Sequence, residues 1–168
     1  GRQGNRWESA PGTGLWMSVS LPPPPDLAPG LVLQQAMAAV ANLLSTPQHP
    51  VGLKWPNDLV IRSGEGLLKL GGILGERVGS RLILGLGVNL SAAPQLPERA
   101  HPAASLRDVG LHPPEAPVLA RAILSRWEGL AGVPDPAFRW PEAGQAFRWE
   151  GGQGVCLGWE PDGRLKLT

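Results

Sequence analysis

The segment Leu53–Glu76, LKWPNDLVIRSGEGLLKLGGILGE, constrains the fold more than any other part of this 168-residue chain. Two short extended runs, Val51–Trp55 and Leu59–Arg62, are followed by a glycine-containing turn and a third run, Leu67–Leu74. Val, Ile and Leu fill the runs, and Gly, Pro, Asn and Asp separate them, which is typical of strands joined by turns. Polar side chains nevertheless lie within or beside these runs, namely Lys54, Asn57, Asp58 and Lys69. Because a buried charge is costly unless it is paired or binds a ligand, the segment predicts an ionic site on a sheet.

Composition excludes several classes of protein. A hydrophobic content of 42% with seven tryptophans provides the apolar area for a packed core, although Gly and Pro make up a quarter of the chain. The net charge of +1 gives no electrostatic footprint for nucleic acid or for an anionic membrane. The single cysteine, Cys156, excludes an intrachain disulfide, and neither a membrane-spanning apolar run nor a signal peptide is visible. These features predict a cytoplasmic protein in which Cys156 is a small core residue.

The first fourteen residues, GRQGNRWESAPGTG, are rich in glycine and arginine. Glycine lets the backbone approach a ligand closely, and the guanidinium of Arg2 or Arg6 can grip a carboxylate or a phosphate. The segment is therefore interpreted either as an anion-binding loop, with Trp7 facing a ring, or as a solvated chain end. Because such a loop normally joins two elements and no strand precedes it, we expect the natural chain to extend further at its N-terminus.

Three further elements are predicted from hydrophobic periodicity. Leu15–Leu21 alternates between apolar and polar residues, as a strand with one buried face does, and a proline run at 22–25 ends it. Leu31–Leu44 is rich in Ala and Leu and predicts a helix that packs on the sheet. Glu115–Leu130 predicts a second helix, whose buried stripe is Leu119, Ile123, Trp127 and Leu130.

Arg81–Leu90 predicts another strand, in which Gly85 and Gly87 alternate with apolar residues. Glycines in a strand mark either a bulge or the close approach of a ligand, and the sequence leaves both open. Beyond a proline-containing loop we expect a short helix at Ala104–Val109 and a linker over residues 131–145.

The tail predicts a small antiparallel β module. Ala146–Trp149 and Val155–Trp159 flank a glycine-rich turn, and Asp162-Gly163 then joins Val155–Trp159 to the short run Arg164–Leu167. We therefore divide the chain into a main domain, residues 1–140, and a C-terminal module, residues 141–168.

Taken in order, the motifs resemble the catalytic domain of biotin protein ligase, truncated at its N-terminus. They are RQGNRW at 2–7, a strand ending in Ser, KWPND at 54–58, KLGGILGE at 69–76 and GLGVN at 85–89. The tail, with Asp162-Gly163-Arg164-Leu165, is similar to the small C-terminal module of that family. The resemblance implies an α/β (α+β) fold: a mixed sheet backed by helices, as in a class II synthetase-like ligase domain, followed by a small SH3-like β module.

The same resemblance implies an ATP-dependent ligase. Such an enzyme forms biotinyl-AMP from biotin and ATP with Mg²⁺, and then transfers biotin to a lysine of a biotin carboxyl carrier protein domain. Its partners would be biotin, ATP and that carrier domain, with no nucleic acid or membrane, and a homodimer is compatible with it. Two alternatives remain: a lipoate–protein ligase-like enzyme, and an inactive scaffold descended from a ligase.

Residue roles are carried over from the resembling motifs. The catalytic residues would be Lys69 and Arg2, and the biotin-binding residues Gly1, Arg2, Lys69 and Gly72. The ATP-binding residues would be Trp7, Lys54, Asn57, Asp58 and Asn89, with Asp58 also a ligand of Mg²⁺.

Each of these residues also has a purely structural interpretation. Lys69 can be a solvent-facing strand lysine, Asp58 can stabilise a turn after Pro56, and Trp7 can anchor a core. The three histidines lie beside prolines or in loops, and we expect ordinary surface residues at His49, His101 and His112.

Overall fold

The computed structural model describes residues 10–22, 28–64, 66–95, 101–130, 132–149 and 151–168. Its elements, in chain order, are β1 (Gly14–Leu21), α1 (Pro29–Leu44), β2 (Val51–Lys54), β3 (Asp58–Ser63), β4 (Gly66–Val78), β5 (Arg81–Asn89), α2 (Ala116–Trp127), β6 (Arg139–Trp140), β7 (Ala146–Trp149), β8 (Gly152–Trp159) and β9 (Leu165–Leu167).

The main sheet has six strands in the order β1-β5-β4-β3-β2-β6. Neighbouring strands are antiparallel except β2 and β6, which are parallel, so the sheet is mixed as predicted. Strand β4 is longer than the predicted run because it continues to Val78, where a tight turn at Gly79 (φ +57°) leads into β5.

The helices cover one face of this sheet. In β1 the residues facing them, such as Leu15, are more buried than Trp16, Ser18 and Ser20 on the other face, which confirms the predicted alternation. On the same side, the space above Gly75 is filled by α1, since a Cβ at Gly75 would lie 3.5 Å from Cδ1 of Leu33. The prediction of a mixed sheet backed by helices is confirmed.

Helix α2 packs on α1 through the predicted stripe. All four stripe residues are buried, and the indole nitrogen of Trp127 donates to the carbonyl of Ala36 in α1 at 3.2 Å. At 16 and 12 residues, α1 and α2 are too short to cross a bilayer, and the described ranges hold no longer helix.

Two predictions of secondary structure were wrong. Residues 104–109 form a turn rather than a helix. The Ser105 amide donates to Asp108 Oδ2 at 2.8 Å and the Asp108 amide donates to Ser105 Oγ at 3.1 Å, a reciprocal pattern that can begin a helix. The segment ends after one turn because Gly110 takes a left-handed conformation (φ +79°) and the Leu111 amide donates back to the Leu106 carbonyl at 2.9 Å. The supposed linker at 131–145 contains β6, whose two residues pair with Leu53 and Lys54. A two-residue strand at a sheet edge has too little periodicity to be detected in a sequence rich in Gly and Pro.

The C-terminal strands form a separate antiparallel sheet, β7-β8-β9. Its buried side chains are Phe147 and Cys156, so the prediction that Cys156 is a core residue is confirmed. The sheet packs on the start of the WPND turn, where the Trp55 indole donates to the carbonyl of Gly163 at 3.2 Å and meets Phe147 edge to face, with ring centroids 5.7 Å apart. The C-terminal sheet therefore contacts the segment that holds Lys54 and Asp58.

Candidate active site

One row of residues crosses the main sheet from edge to edge on the face opposite the helices. Residues that lie directly opposite each other in neighbouring strands share a face of the sheet. The observed register joins Trp16 to Gly87, Gly87 to Gly72, Gly72 to Asp58, Asp58 to Lys54, and Lys54 to Trp140. We call this set the cross-strand row. It begins with an aromatic ring, continues over two glycines, and ends with two opposite charges and a second aromatic ring.

The glycine half of the row forms the floor of a groove. A cavity of about 400 Å³ lies over this half, and its lining includes Trp16, Ser18, Leu74, Gly85 and Gly87. The β5 register runs without a shift through both glycines, so the bulge interpretation of Gly85 and Gly87 was wrong. Close approach of a ligand to Gly85 and Gly87 remains a prediction, and the groove over these residues has space for such a ligand.

The charged half of the row is an ion-pair cluster centred on Asp58. Its Oδ1 lies 2.5 Å from the Lys69 ammonium, and its Oδ2 lies 3.8 Å from the Lys54 ammonium. The side chains of Asp58 and Lys54 are each 17% exposed, and that of Lys69 is 31% exposed. One carboxylate thus lies between two ammonium groups, and the cluster carries a net positive charge in a partly dry setting.

The environment of Lys54 lowers the pKa of its ammonium group. Burial lowers the pKa of Lys54; Asp58 opposes this shift, and the nearby positive charge of Lys69 adds to it. The ammonium also lies 5.6 Å from the centroid of the Trp140 ring, close enough for a cation–π contact. An arriving anion would relieve this excess of positive charge.

A β-bulge sets the position of Lys69. In the β3–β4 register Leu59 pairs with Gly71 and Val60 pairs with Lys69, so Leu70 is an extra residue in β4. The ladder between β4 and β5 starts only at Gly71. Beside Lys69, residues 102–104 pair with β4 in place of β5. The Lys69 amide donates to the carbonyl of Pro102 at 2.8 Å, and the Ala104 amide donates to the carbonyl of Lys69 at 2.9 Å. Lys69 is therefore fixed on both sides, by β3 and by residues 102–104.

The two asparagines of the motifs use their amide groups within the fold. The Asn57 side chain donates to the carbonyl of Ile73 at 2.9 Å, and the Ile73 amide returns a bond to the carbonyl of Asn57 at 2.9 Å. The Asn89 side chain donates to the carbonyl of Ala104 at 3.1 Å, and Asn89 is only 7% exposed. Asn57 precedes Asp58 directly, whereas Asn89 bonds to the segment that pairs with the Lys69 backbone, so both hold backbone near the charged cluster.

Sequence reasoning missed His101, which it placed among ordinary surface residues. The imidazole is half-buried and meets the Trp140 ring edge to face, with centroids 5.4 Å apart. Burial lowers the pKa of His101, Lys54 lowers it further, and Asp58 opposes the shift. No local pattern marks this residue, because it lies more than thirty positions after Lys69 along the chain and comes to the site only through the bond between Lys69 and Pro102.

Three predicted site residues, Gly1, Arg2 and Trp7, lie outside the described residues. Of the others, the structure brings Lys54, Asp58, Lys69 and Gly72 to one face of the sheet, with Asn57 and Asn89 beside them.

A magnesium site made by protein side chains alone does not fit this cluster. Across the described ranges, no three or more His, Cys, Asp or Glu side chains converge in a way that would hold a metal ion. Asp58 is a single carboxylate that is already paired with two ammonium groups. That donor set fits Mg²⁺ only in the way common at nucleotide sites, where one carboxylate supplements the oxygens of substrate phosphates.

Comparison with known proteins gives the class to which this fold and site correspond. Residues 1–91 match the model of the biotin/lipoate A/B protein ligase family, and the chain belongs to that family. This confirms the resemblance drawn from the order of the motifs.

Among curated relatives, the biotin–[acetyl-CoA-carboxylase] ligase of Mycobacterium tuberculosis is 38% identical over 104 residues, which are 61% of this chain and 35% of that protein. The bifunctional ligase/repressor BirA of Bacillus subtilis is 35% identical over 98 residues, which are 56% of this chain and 30% of that protein. The chain therefore matches about a third of the length of these relatives.

Solved structures agree with this assignment at the level of the fold. The structure described as biotin protein ligase from Aquifex aeolicus in complex with biotin and ATP superimposes with a TM-score of 0.70. The two proteins are 24% identical, and the superposition covers 99% of this chain and 76% of the other. The fold of this chain is thus that of a biotin protein ligase.

Proposed function

We propose that this chain is part of an ATP-dependent ligase that converts biotin to biotinyl-AMP and then transfers biotin to a lysine of a biotin carboxyl carrier domain. The observation that carries the proposal is the Lys54–Asp58–Lys69 cluster, whose Asp58 lies opposite Gly72 in the same cross-strand row that reaches the groove at Gly87. The relative in M. tuberculosis named a biotin–[acetyl-CoA-carboxylase] ligase and the A. aeolicus ligase in complex with biotin and ATP support the choice of substrates.

The first half-reaction brings two anions together. A carboxylate oxygen of biotin attacks the α-phosphorus of ATP, the bond to the β-phosphate oxygen breaks, and pyrophosphate leaves. Two ammonium groups that are already fixed by Asp58 can offset the repulsion between these reactants and stabilise negative charge as it develops on the phosphoryl oxygens. In this assignment Lys69 is the principal catalytic residue, since its side chain is the more exposed of the two.

Transfer of biotin uses the same charges. The amine of the carrier lysine attacks the acyl carbon of biotinyl-AMP, and the acyl oxygen becomes negative in the tetrahedral intermediate. Lys69 would stabilise this oxygen, and AMP would then leave as an anion near Lys54. The nucleophile comes from the partner, so the ligase needs no nucleophile of its own.

The glycine half of the cross-strand row supplies space for the organic acid. We assign the ring and chain of biotin to the groove over Gly85 and Gly87, with the carboxylate directed toward Gly72 and Lys69. A side chain at Gly72 would meet the Asn57 carbonyl at 2.9 Å and Asp58 Oδ1 at 3.3 Å, so glycine is needed for the charged cluster to take this position.

The remaining assignments follow the family resemblance. Gly1 and Arg2 would close over biotin and its adenylate, and Trp7 would lie against the adenine. Asn57, Asp58 and Asn89 would serve the nucleotide end of the site. Mg²⁺ would enter with ATP, held by phosphate oxygens and Asp58, and would supply further charge neutralisation at the phosphates.

Some broader features also belong to this proposal. They are a class II synthetase-like relationship for the main domain, an SH3-like character for the β7-β8-β9 sheet, and a division of the chain near residue 140. A biotin carboxyl carrier domain as partner, a homodimer and a cytoplasmic location are expected on the same grounds.

Lipoate is the second candidate substrate, because the matching family includes lipoate ligases as well as biotin ligases. ATP–pyrophosphate exchange distinguishes the two acids: we expect exchange that depends on biotin and is not supported by lipoate. If lipoate supports ATP–pyrophosphate exchange and biotin does not, lipoate is the substrate and the proposal of biotin is wrong. Calorimetry with biotin and with a non-hydrolysable biotinyl-AMP analogue tests the scaffold alternative, which predicts no heat from either ligand.

A further inference from the structure

Residues 102–107 run along the charged half of the site, and we call them the strap. At its start, the strap pairs with Lys69 through two backbone bonds, from the Lys69 amide to Pro102 at 2.8 Å and from the Ala104 amide to Lys69 at 2.9 Å. These bonds fall where the β4–β5 ladder has stopped. Without the strap, the Lys69 amide and carbonyl would lack these protein partners in a half-buried position.

The other anchor of the strap is Asn89, at the end of β5. Its side chain donates to the carbonyl of Ala104 at 3.1 Å, and its own carbonyl accepts from the Leu106 amide at 2.9 Å. The next residue, Leu90, accepts from the Arg107 amide at 3.2 Å. Asn89 is 7% exposed, so its amide bond to the strap is shielded from water.

These contacts connect the side chain of Asn89, at the end of β5, to Lys69 in the charged cluster. Asn89 bonds to Ala104, Ala104 bonds to the main chain of Lys69, and the ammonium of Lys69 lies 2.5 Å from Asp58. The bulge at Leu70 makes this chain of contacts necessary, because a bulged residue has fewer ladder partners to fix its direction.

We propose that Asn89 is a positioning residue for Lys69 and acts on it through the strap, apart from its assigned place at the nucleotide end of the site. Its consequence for turnover rests on the proposed ligase function, whereas its consequence for the position of Lys69 does not. Loss of the Asn89 amide releases Ala104, loosens the backbone at Lys69 and weakens the pairing of its ammonium with Asp58.

The test compares Asn89→Ala with Asn42→Ala in the full chain. Asn42 is a matched control because its side-chain amide also donates to a distant loop carbonyl, that of Pro134 at 2.9 Å, away from the site. The chain has three lysines, so acetylation followed by mass spectrometry reports Lys54 and Lys69 against the exposed Lys166 as an internal reference. We expect Asn89→Ala to raise acetylation of Lys69 relative to Lys166 and to speed hydrogen exchange at the Ala104 amide by about tenfold, the factor equal to about 1.4 kcal/mol. Asn42→Ala should change neither.

Two outcomes overturn the proposal. One is a lower melting temperature for Asn89→Ala with acetylation of Lys69 unchanged, which makes Asn89 a structural residue only. The other is a raised KM for ATP in pyrophosphate exchange with kcat and the acetylation of Lys69 both unchanged, which leaves Asn89 with nucleotide binding only. A fall in kcat together with raised acetylation of Lys69 supports positioning. If Asn89→Ala does not fold, Asp108→Ala loosens the strap from an exposed position by removing the bond from the Ser105 amide, and the same acetylation and exchange changes are then required of it.

Because acetylation and hydrogen exchange need no turnover, they test the position of Lys69 even in a protein that shows no ligase activity. The two failures are therefore distinguishable. If the proposed function is wrong, the unmodified protein shows no biotin-dependent pyrophosphate exchange; if the positioning role is wrong, Asn89→Ala leaves the acetylation of Lys69 unchanged.

Discussion

Gly72 lies directly opposite Asp58 in the β3–β4 register, and the space that a side chain would occupy at Gly72 is taken by the WPND turn. A Cβ there would approach the Asn57 carbonyl to 2.9 Å and Asp58 Oδ1 to 3.3 Å. Gly85, on the same face of the sheet, differs, since a Cβ there would come no closer than 3.8 Å, to Ser18 Oγ. The same residue type therefore has two uses: packing of the charged cluster at Gly72 and open space in the groove at Gly85.

This difference predicts opposite effects of two alanine substitutions. Gly72→Ala must shift the backbone at Asn57, so we expect it to lower the free energy of unfolding by roughly 1–3 kcal/mol and to displace Asp58. Gly85→Ala should stay within about 0.5 kcal/mol of the unmodified protein, because its methyl group enters free space. Chemical denaturation measures both values, and equal stabilities would contradict the packing role of Gly72.

Lys69→Ala should abolish most of the proposed activity while leaving the fold intact. The side chain is 31% exposed and fills no core position, but its ammonium is the charge assigned to the reacting oxygens. We expect the rate of biotin-dependent pyrophosphate exchange to fall by roughly 10²–10³-fold, as when one preorganised donor is removed from a site of this kind. Lys166→Ala is the control, since Lys166 is an exposed strand lysine in β9. Equal rates for the two variants would remove Lys69 from the mechanism.

Phe147 should be the main apolar anchor of the C-terminal sheet. Its ring is buried against Trp55, Trp140 and Trp149, with centroids 5.6–5.9 Å apart. Truncation to alanine should therefore lower the free energy of unfolding by roughly 3–5 kcal/mol. Leu157→Ala, at a position 49% exposed in the same sheet, should change it by less than about 0.5 kcal/mol. Thermal or denaturant unfolding that gave similar losses for both would place the anchor elsewhere.

His101 should make stability depend on pH. Its pKa in the folded protein is below the ordinary 6.5, chiefly because of burial and then because of Lys54, so the unfolded chain takes up a proton at a higher pH than the folded protein. Stability is then unaffected by His101 above about pH 6.5 and falls as the pH drops through and below that value.

The measurement is the fall in melting temperature between about pH 7.5 and about pH 5.5. His101→Gln should show a smaller fall than the unmodified protein, whereas His112→Gln, at an exposed loop position, should show the same fall. A larger fall in His101→Gln would mean that the imidazole is stabilised, rather than penalised, when it is charged.

Much of the main sheet was predictable because hydrophobic periodicity is a local property. The alternation in β1, the Val and Leu runs of β2 to β5 and the stripe on α2 each fix an element without reference to the others. The missed strand β6 depends on partners far along the chain, because it exists where Leu53 and Lys54 offer an edge. The turn at 104–109 has a local cause instead, since Gly110 takes a left-handed conformation (φ +79°) directly after it.

The candidate site divides in the same way. Lys54, Asp58 and Lys69 were recognisable as charges inside apolar runs, and the structure brings them within ion-pair distance. His101 and Trp140 had no such signal, since an imidazole after a proline-rich loop and an indole in a supposed linker look ordinary. They reach the site through the Lys69–Pro102 bond and the β2–β6 pairing, and neither contact has a trace in the neighbouring residues.

The cross-strand row places its open groove and its charged cluster on different strands, so substitutions in one need not disturb the other. Its open half rests on β1 and β5, and its ionic half on β2 and β3, with Gly72 of β4 between them. Under the proposed function, a replacement at position 85 or 87 would narrow the space for the ring or chain of the organic acid, while the ammonium groups beside Asp58 would keep their spacing. The preference for one acid over another would then change without any change in the charged cluster.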